Sequence, residues 1–115
     1  MNLAELLARQ ARVAGAKLSI AQCVELAEMG AWIELCALCC IGGFATKSVA
    51  EMVSCIKAVG AGRVTLGSDY GQVVNERPAA GLQTYADALF AEGMTESQIR
   101  QMACTQPSAL LGLDA

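Results

Sequence analysis

This sequence predicts an α/β fold with parallel strands, and three observations carry the prediction. Two short apolar runs, residues 31–38 and 64–68, are rich in strand-forming side chains and are bounded by glycines. Between them, residues 48–59 repeat apolar residues at helical spacing, so strand, helix and strand follow in close order. The same phrase of helix cap, helix, glycine and strand also recurs along the chain. A βαβ unit of this length takes a right-handed crossover with parallel strands, so both strand ends lie on one edge of the sheet.

The elements follow in order. Apolar spacing gives a helix over residues 3–12, closed by Gly15, and a second over 20–29. Ser19 with Gln22 is a capping-box pair: the serine oxygen accepts from an orphan helix amide and the glutamine reaches back, while Gly30 ends the helix. Residues 31–38 then form a mostly buried strand, Trp32, Ile33 and Leu35 surrounding its single charge, Glu34. After a loop of small residues the third helix begins at Ser48, with Glu51 three positions on, and stops at Gly60. The strand 64–68 follows. Pro78 suits the first position of a fourth helix, Thr95 with Gln98 opens a fifth, and Pro107 starts a last short turn before Gly112. Two strands alone make a poor sheet with unpaired edges, so further strands are expected from somewhere.

At 115 residues and 11.9 kDa the chain is expected to form a single domain over residues 1–115, its first 29 residues making the leading helices. A closed barrel of eight βα units needs about 250 residues and is excluded for this chain alone. Hydrophobic residues make up 55% and charged residues 17%, more apolar surface than a small monomer usually buries, so part of it is expected to meet partner structure. The formal charge is -3, with eight Lys and Arg spread thinly, which argues against nucleic acid and against a polybasic membrane patch. Residues 1–13 carry Glu5, Arg9 and Arg12 in a helical pattern unlike an export signal, and the longest uncharged stretch, residues 35–46, is too short to span a bilayer. The reading is a cytoplasmic chain with reduced cysteines.

The strand of residues 64–68 delivers one carboxylate, Asp69, to its C-terminal end, ahead of a turn in which Gly71 supplies backbone freedom. Strand ends of this kind hold the chemistry of parallel α/β proteins, although an aspartate there also caps turns well. Tyr70, Gln72 and Asn75 lie on the following loop, where they would face a substrate or simply meet water. Cys36, Cys39 and Cys40 have the spacing of a dithiol pair or half a zinc site, but no second pair accompanies them, and buried cysteine commonly behaves as a small apolar residue. Glu34 fits either a barrel interior or a solvent-open sheet position.

The sequence Leu66-Gly67-Ser68-Asp69 followed by a loop and helices, and the closing Gln106-Pro107-Ser108-Ala109-Leu110-Leu111-Gly112-Leu113, resemble the last strand and terminal phrase of the metal-dependent amidohydrolase superfamily. That family ends on Asn-Pro-Ala-x-x-Leu-Gly-Leu, so Gln106 and Ser108 are departures. The stretch from Gly93 through Thr95 to Ile99 is also similar to the family's. The resemblance runs from Gly30 to Leu113 and implies a partial (β/α) TIM-barrel segment, with residues 31–38 as the seventh strand and 64–68 as the eighth. It further implies that Asp69 ligates a divalent metal, zinc or similar, and takes the proton from metal-bound water. The chain contains no histidine, so the family's histidine ligands have no counterpart here.

The resulting expectation is the C-terminal segment of an amidohydrolase-like hydrolase, inactive by itself. It would pair with the remainder of a barrel or with its own copies, and would act on a small molecule only when complete. The alternatives are a non-catalytic, self-associating scaffold and a module that uses the cysteines for redox or metal binding.

Overall fold

The computed structural model describes residues 12–14 and 18–113. Three strands, β1 (Arg12–Ala14), β2 (Trp32–Cys36) and β3 (Val64–Gly67), form one parallel sheet in the order β1-β2-β3. Helix α1 (Ile20–Glu28) joins β1 to β2 and α2 (Val49–Val59) joins β2 to β3. After β3 come α3 (Pro78–Ala91), α4 (Glu96–Arg100), a π-helical turn (Gln101–Thr105) and α5 (Gln106–Leu110).

The expected parallel pair is present, with Ile33 beside Val64 and Leu35 beside Leu66. β1 supplies the further strand that the open edges called for, Val13 pairing with Ile33. This corrects the first of the two leading helices at its end, since Arg12 belongs to a strand; the second, read over residues 20–29, is present as α1. The rest of the helix read over residues 3–12 falls outside the described residues, as does Gly15. The strand read over 31–38 also ends earlier, at Cys36, because Ala37–Cys39 tightens into a 3-10 turn. One further backbone bond, from the Leu38 amide to the Ser68 carbonyl at 3.0 Å, extends the pairing of β2 with β3 past the turn.

The caps form as the sequence dictates. Ser19 and Gln22 make both bonds of a capping box, and so do Thr95 and Gln98. Ser48 accepts from the Glu51 amide at 3.1 Å. At the C-terminal end the expected break before Pro107 is absent. The helix instead widens into the π turn, and Pro107 sits where its missing N–H is tolerated in the first turn of α5.

Strand alternation sorts the sheet into two unlike faces. Ile33 and Leu35 of β2, with Val64 and Leu66 of β3, are buried and join one core with Cys23 of α1, Met52 and Ile56 of α2, and Tyr85 and Leu89 of α3. Each large side chain buried there contributes roughly 1.5–3 kcal/mol. The buried Tyr85 hydroxyl donates to the Leu35 carbonyl at 3.2 Å, which ties α3 to the end of β2. The other face carries Trp32, Glu34 and Cys36 of β2, all half-buried, and none of them joins that core. Among the described residues, the apolar core therefore forms on one side of the sheet only.

Candidate functional site

The C-terminal edge of the sheet is built by two loops that lock together. After β3, the Tyr70 amide donates to the Ser68 side chain at 3.2 Å and the Tyr70 hydroxyl reaches across to the Ile41 carbonyl at 3.1 Å. The Tyr70 ring packs against α3 at Gly81, its Cδ2–Cε2 edge nearest: a Cβ there would come within 2.2 Å of it, so only glycine leaves room for the ring. Asn75 closes the other side of the loop junction, its Oδ1 only 2.7 Å from where a Cβ on Gly42 would stand. The Gln72 side chain donates to the Asp69 carbonyl at 3.1 Å and accepts from the Asn75 side chain at 3.0 Å.

Asp69 is exposed at the end of β3, as expected, and its backbone adopts the left-handed conformation with φ 55°. It is the only non-glycine residue with positive φ among the described residues, and aspartate tolerates that region better than most side chains. The turn freedom assigned to Gly71 therefore belongs to Asp69 itself. Tyr70, Gln72 and Asn75 fix the loop that holds Asp69, and their polar groups are committed to backbone or to one another.

The face of the sheet opposite the core gathers a second set of groups below this rim. Glu34 stands beside Thr65 and Cys36 beside Gly67 in the strand register. A Cβ on Gly67 would sit 3.2 Å from Glu34 Oε1 and 3.7 Å from Cys36 Sγ, so the bare glycine gives the carboxylate its place. Thr65 is 4% exposed and its hydroxyl has no hydrogen-bond partner among the described residues. The Cys36 thiol is pushed up to about 12, first by burial and then by the negative charges of Glu34 and Asp69. Arg63 does not neutralise them. It lies at the opposite end of β3, donates to the Gly30 carbonyl and stacks on the Trp32 ring at 4.3 Å from its centroid.

Sequence reasoning found Asp69 and left Glu34 open; Thr65 and Gly67 it missed. Their signal was the alternation itself, since Thr65 and Gly67 share the parity that pairs them with Glu34 and Cys36.

Two further thiols are raised as well. Burial pushes Cys40 and Cys55 to about 11, in Cys40 with help from Cys39 and in Cys55 from Cys23. An activated dithiol needs the opposite shift. Among the described residues no group of three or more His, Cys, Asp or Glu side chains could hold a metal ion. Asp69, Glu34 and Cys36 do not, by themselves, fit the metal centre that the family resemblance implies. Two cavities, of about 210 and 250 Å³, open between α1 and α2 and beside α3 and α4; none of Asp69, Tyr70, Gln72 and Asn75 lines either one.

No protein-family model matches the chain, and neither a curated protein nor a solved structure does. No helix among the described residues is long and apolar enough to cross a membrane.

Proposed function

We propose that this chain is the closing arc of an amidohydrolase-like (β/α) barrel, contributing Asp69 and the loop after β3 to a hydrolytic site that other structure completes. The observation that carries the reading is the sheet: three parallel strands in sequential order, with the core on one face and polar groups on the other. Strands in sequential order with helices on the outside are the arrangement of a barrel arc, whose second face becomes the interior. A doubly wound sheet buries both faces under helices, and the half-buried Glu34 and Cys36 do not suit that.

The chemistry assigned to the complete site is hydrolysis at a carbon centre, with the metal supplied by ligands from the remainder of the barrel. This chain's own part is limited to holding a carboxylate at the mouth. The strand places it, the left-handed turn exposes it, and Tyr70, Gln72 and Asn75 keep the turn in shape. Alone, the chain is a non-catalyst.

The test supplies the missing barrel in trans. An amidohydrolase lacking its last two βα units is co-expressed with this chain, and the purified complex is assayed with zinc on ester, lactone and amide substrates. The expected result is turnover by the complex, none by the separate pieces, and loss in Asp69→Asn. Failure to form a complex, or turnover indifferent to Asp69→Asn, overturns the reading.

One set of observations favours the non-catalytic alternative, self-association. Phe44, Val73 and Val74 project from the two locked loops, with Val73 and Val74 102% and 76% exposed. A scaffold that pairs through this rim would form oligomers that Val73→Asp disperses, whereas a barrel arc would keep its second sheet face and still associate.

A further inference from the structure

We propose that Cys23 of α1 and Cys55 of α2 are an oxidation site, a thiol pair that hydrogen peroxide converts into a disulfide joining the two crossover helices. The inference is independent of whether the chain joins a catalytic barrel, and it uses neither Cys36, Cys39 nor Cys40.

Three observations meet at this pair. Both thiols are buried in the one core, and the Cys55 thiol hydrogen-bonds to Cys23. Hydrogen-bonded sulfurs on facing helices need side-chain rotation, not a rearranged backbone, to reach the disulfide bonding distance of about 2.05 Å. The two are also unequally accessible. Cys55 lines the cavity of about 210 Å³ between the helices, which has room for a molecule as small as a peroxide, whereas Cys23 is 0% exposed and does not line it. Lys47 lines the same cavity, held by its bond to the Leu18 carbonyl at 3.1 Å, and its positive charge favours the Cys55 thiolate.

Access sets the order of the chemistry. The Cys55 thiolate attacks one peroxide oxygen and the O–O bond breaks. The departing hydroxide takes up the thiol's proton as water, leaving a sulfenic acid on Cys55. The Cys23 sulfur, behind it in the core, attacks the sulfenic sulfur; the S–O bond breaks and a second water leaves with the Cys23 proton. In sum the two thiols give up two hydrogens and two electrons, and one peroxide is reduced to two waters. Burial outweighs Lys47 and holds the Cys55 thiol up to about 11, which keeps the thiolate scarce near neutral pH, so the site reacts slowly, unlike an activated dithiol. Because α1 leads into β2 and α2 leads out of it, the new bond ties both crossovers of the sheet together.

The test exposes the full chain, folded and reduced, to a small excess of hydrogen peroxide. Remaining thiols are alkylated under denaturing conditions, and the bonds are mapped by mass spectrometry after cleavage at glutamate. Glu25, Glu28 and Glu34 separate Cys23 from Cys36, and Glu51 separates Cys40 from Cys55, so the link is read directly. The expected result is the Cys23 peptide joined to the Cys55 peptide and lighter by two hydrogens, with a raised melting temperature that dithiothreitol reverses. Cys23→Ala, its fold checked by circular dichroism, should stop with oxygen added to Cys55 and no rise in melting temperature. The map of the unaltered chain decides the matter even where that variant does not fold. Cys55 recovered as a thiol while other cysteines oxidise, Cys55 linked to any other cysteine, or a Cys23–Cys55 link that forms only in urea would overturn the proposal.

Discussion

Asp69 shows how a backbone angle and a carboxylate can be selected at one position. Its left-handed φ of 55° disfavours most side chains by roughly 1–2 kcal/mol, a penalty glycine does not incur. Asp69→Gly should therefore leave stability unchanged or raise it, while Asp69→Ala lowers it by about 1 kcal/mol, measured by urea denaturation. Equal destabilisation by both would mean that the carboxylate, not the turn, supports the fold. The thiols make a pH prediction. Cys36, Cys40 and Cys55 stay neutral in the folded chain up to about 11–12, whereas in the unfolded chain they ionise near 9. The unfolded state releases its protons first, so the contribution of the neutral thiols is intact below about pH 9 and is lost as pH rises toward the folded values. Thermal melts across that window should show a falling melting temperature, and Cys36→Ala should shallow the fall. The sequence made Asp69 visible because it follows an apolar strand. It could not reveal φ, because Gly71, two positions on, is the residue to which a positive φ is ordinarily assigned.

At the scale of elements, Gln106 and Gly81 fasten the helices that follow β3. Gln106 is 5% exposed, and its side-chain amide donates to the Ala61 carbonyl at 2.6 Å and to the Val64 carbonyl at 2.5 Å. It binds α5 to the entry of β3. Read in sequence, Gln106 was only a departure from an Asn-Pro-Ala phrase; in the fold it satisfies two carbonyls 42 and 45 positions away. Gln106→Ala should cost about 1–3 kcal/mol by leaving those acceptors unanswered, and Gln106→Asn should cost part of that because its shorter arm cannot reach both. Denaturant unfolding of the two variants measures the difference. Gly81→Ala should destabilise by about 1–3 kcal/mol through overpacking on the Tyr70 ring. Combining it with Tyr70→Ala should cost less than the sum of the two, and strict additivity would separate the ring from the helix. The helices and their caps were legible because serine, threonine and glycine punctuate them. β1 was not, since Arg12–Ala14 is three residues long and follows a stretch whose spacing is helical.

For the whole molecule, the decisive property is asymmetry. Among the described residues, one core forms on one side of a three-stranded sheet, while Trp32, Glu34 and Cys36 stay half-buried on the other and Phe44, Val73, Val74, Leu111 and Leu113 remain exposed. The parallel α/β class and the β2-α2-β3 unit were readable from apolar spacing. Which face would carry the apolar core was not, because it depends on strand parity and on where three helices settle together. On the proposed reading, a sheet with one apolar core, polar groups on its second face and an apolar rim would receive further structure.

Light scattering on the purified 115-residue chain, coupled to size exclusion, tests that claim most directly. The account predicts a mass of at least two copies for the chain alone, replaced by the mass of a one-to-one complex when the missing barrel units are supplied. A chain that stays at 11.9 kDa at every concentration and ignores those units would contradict it.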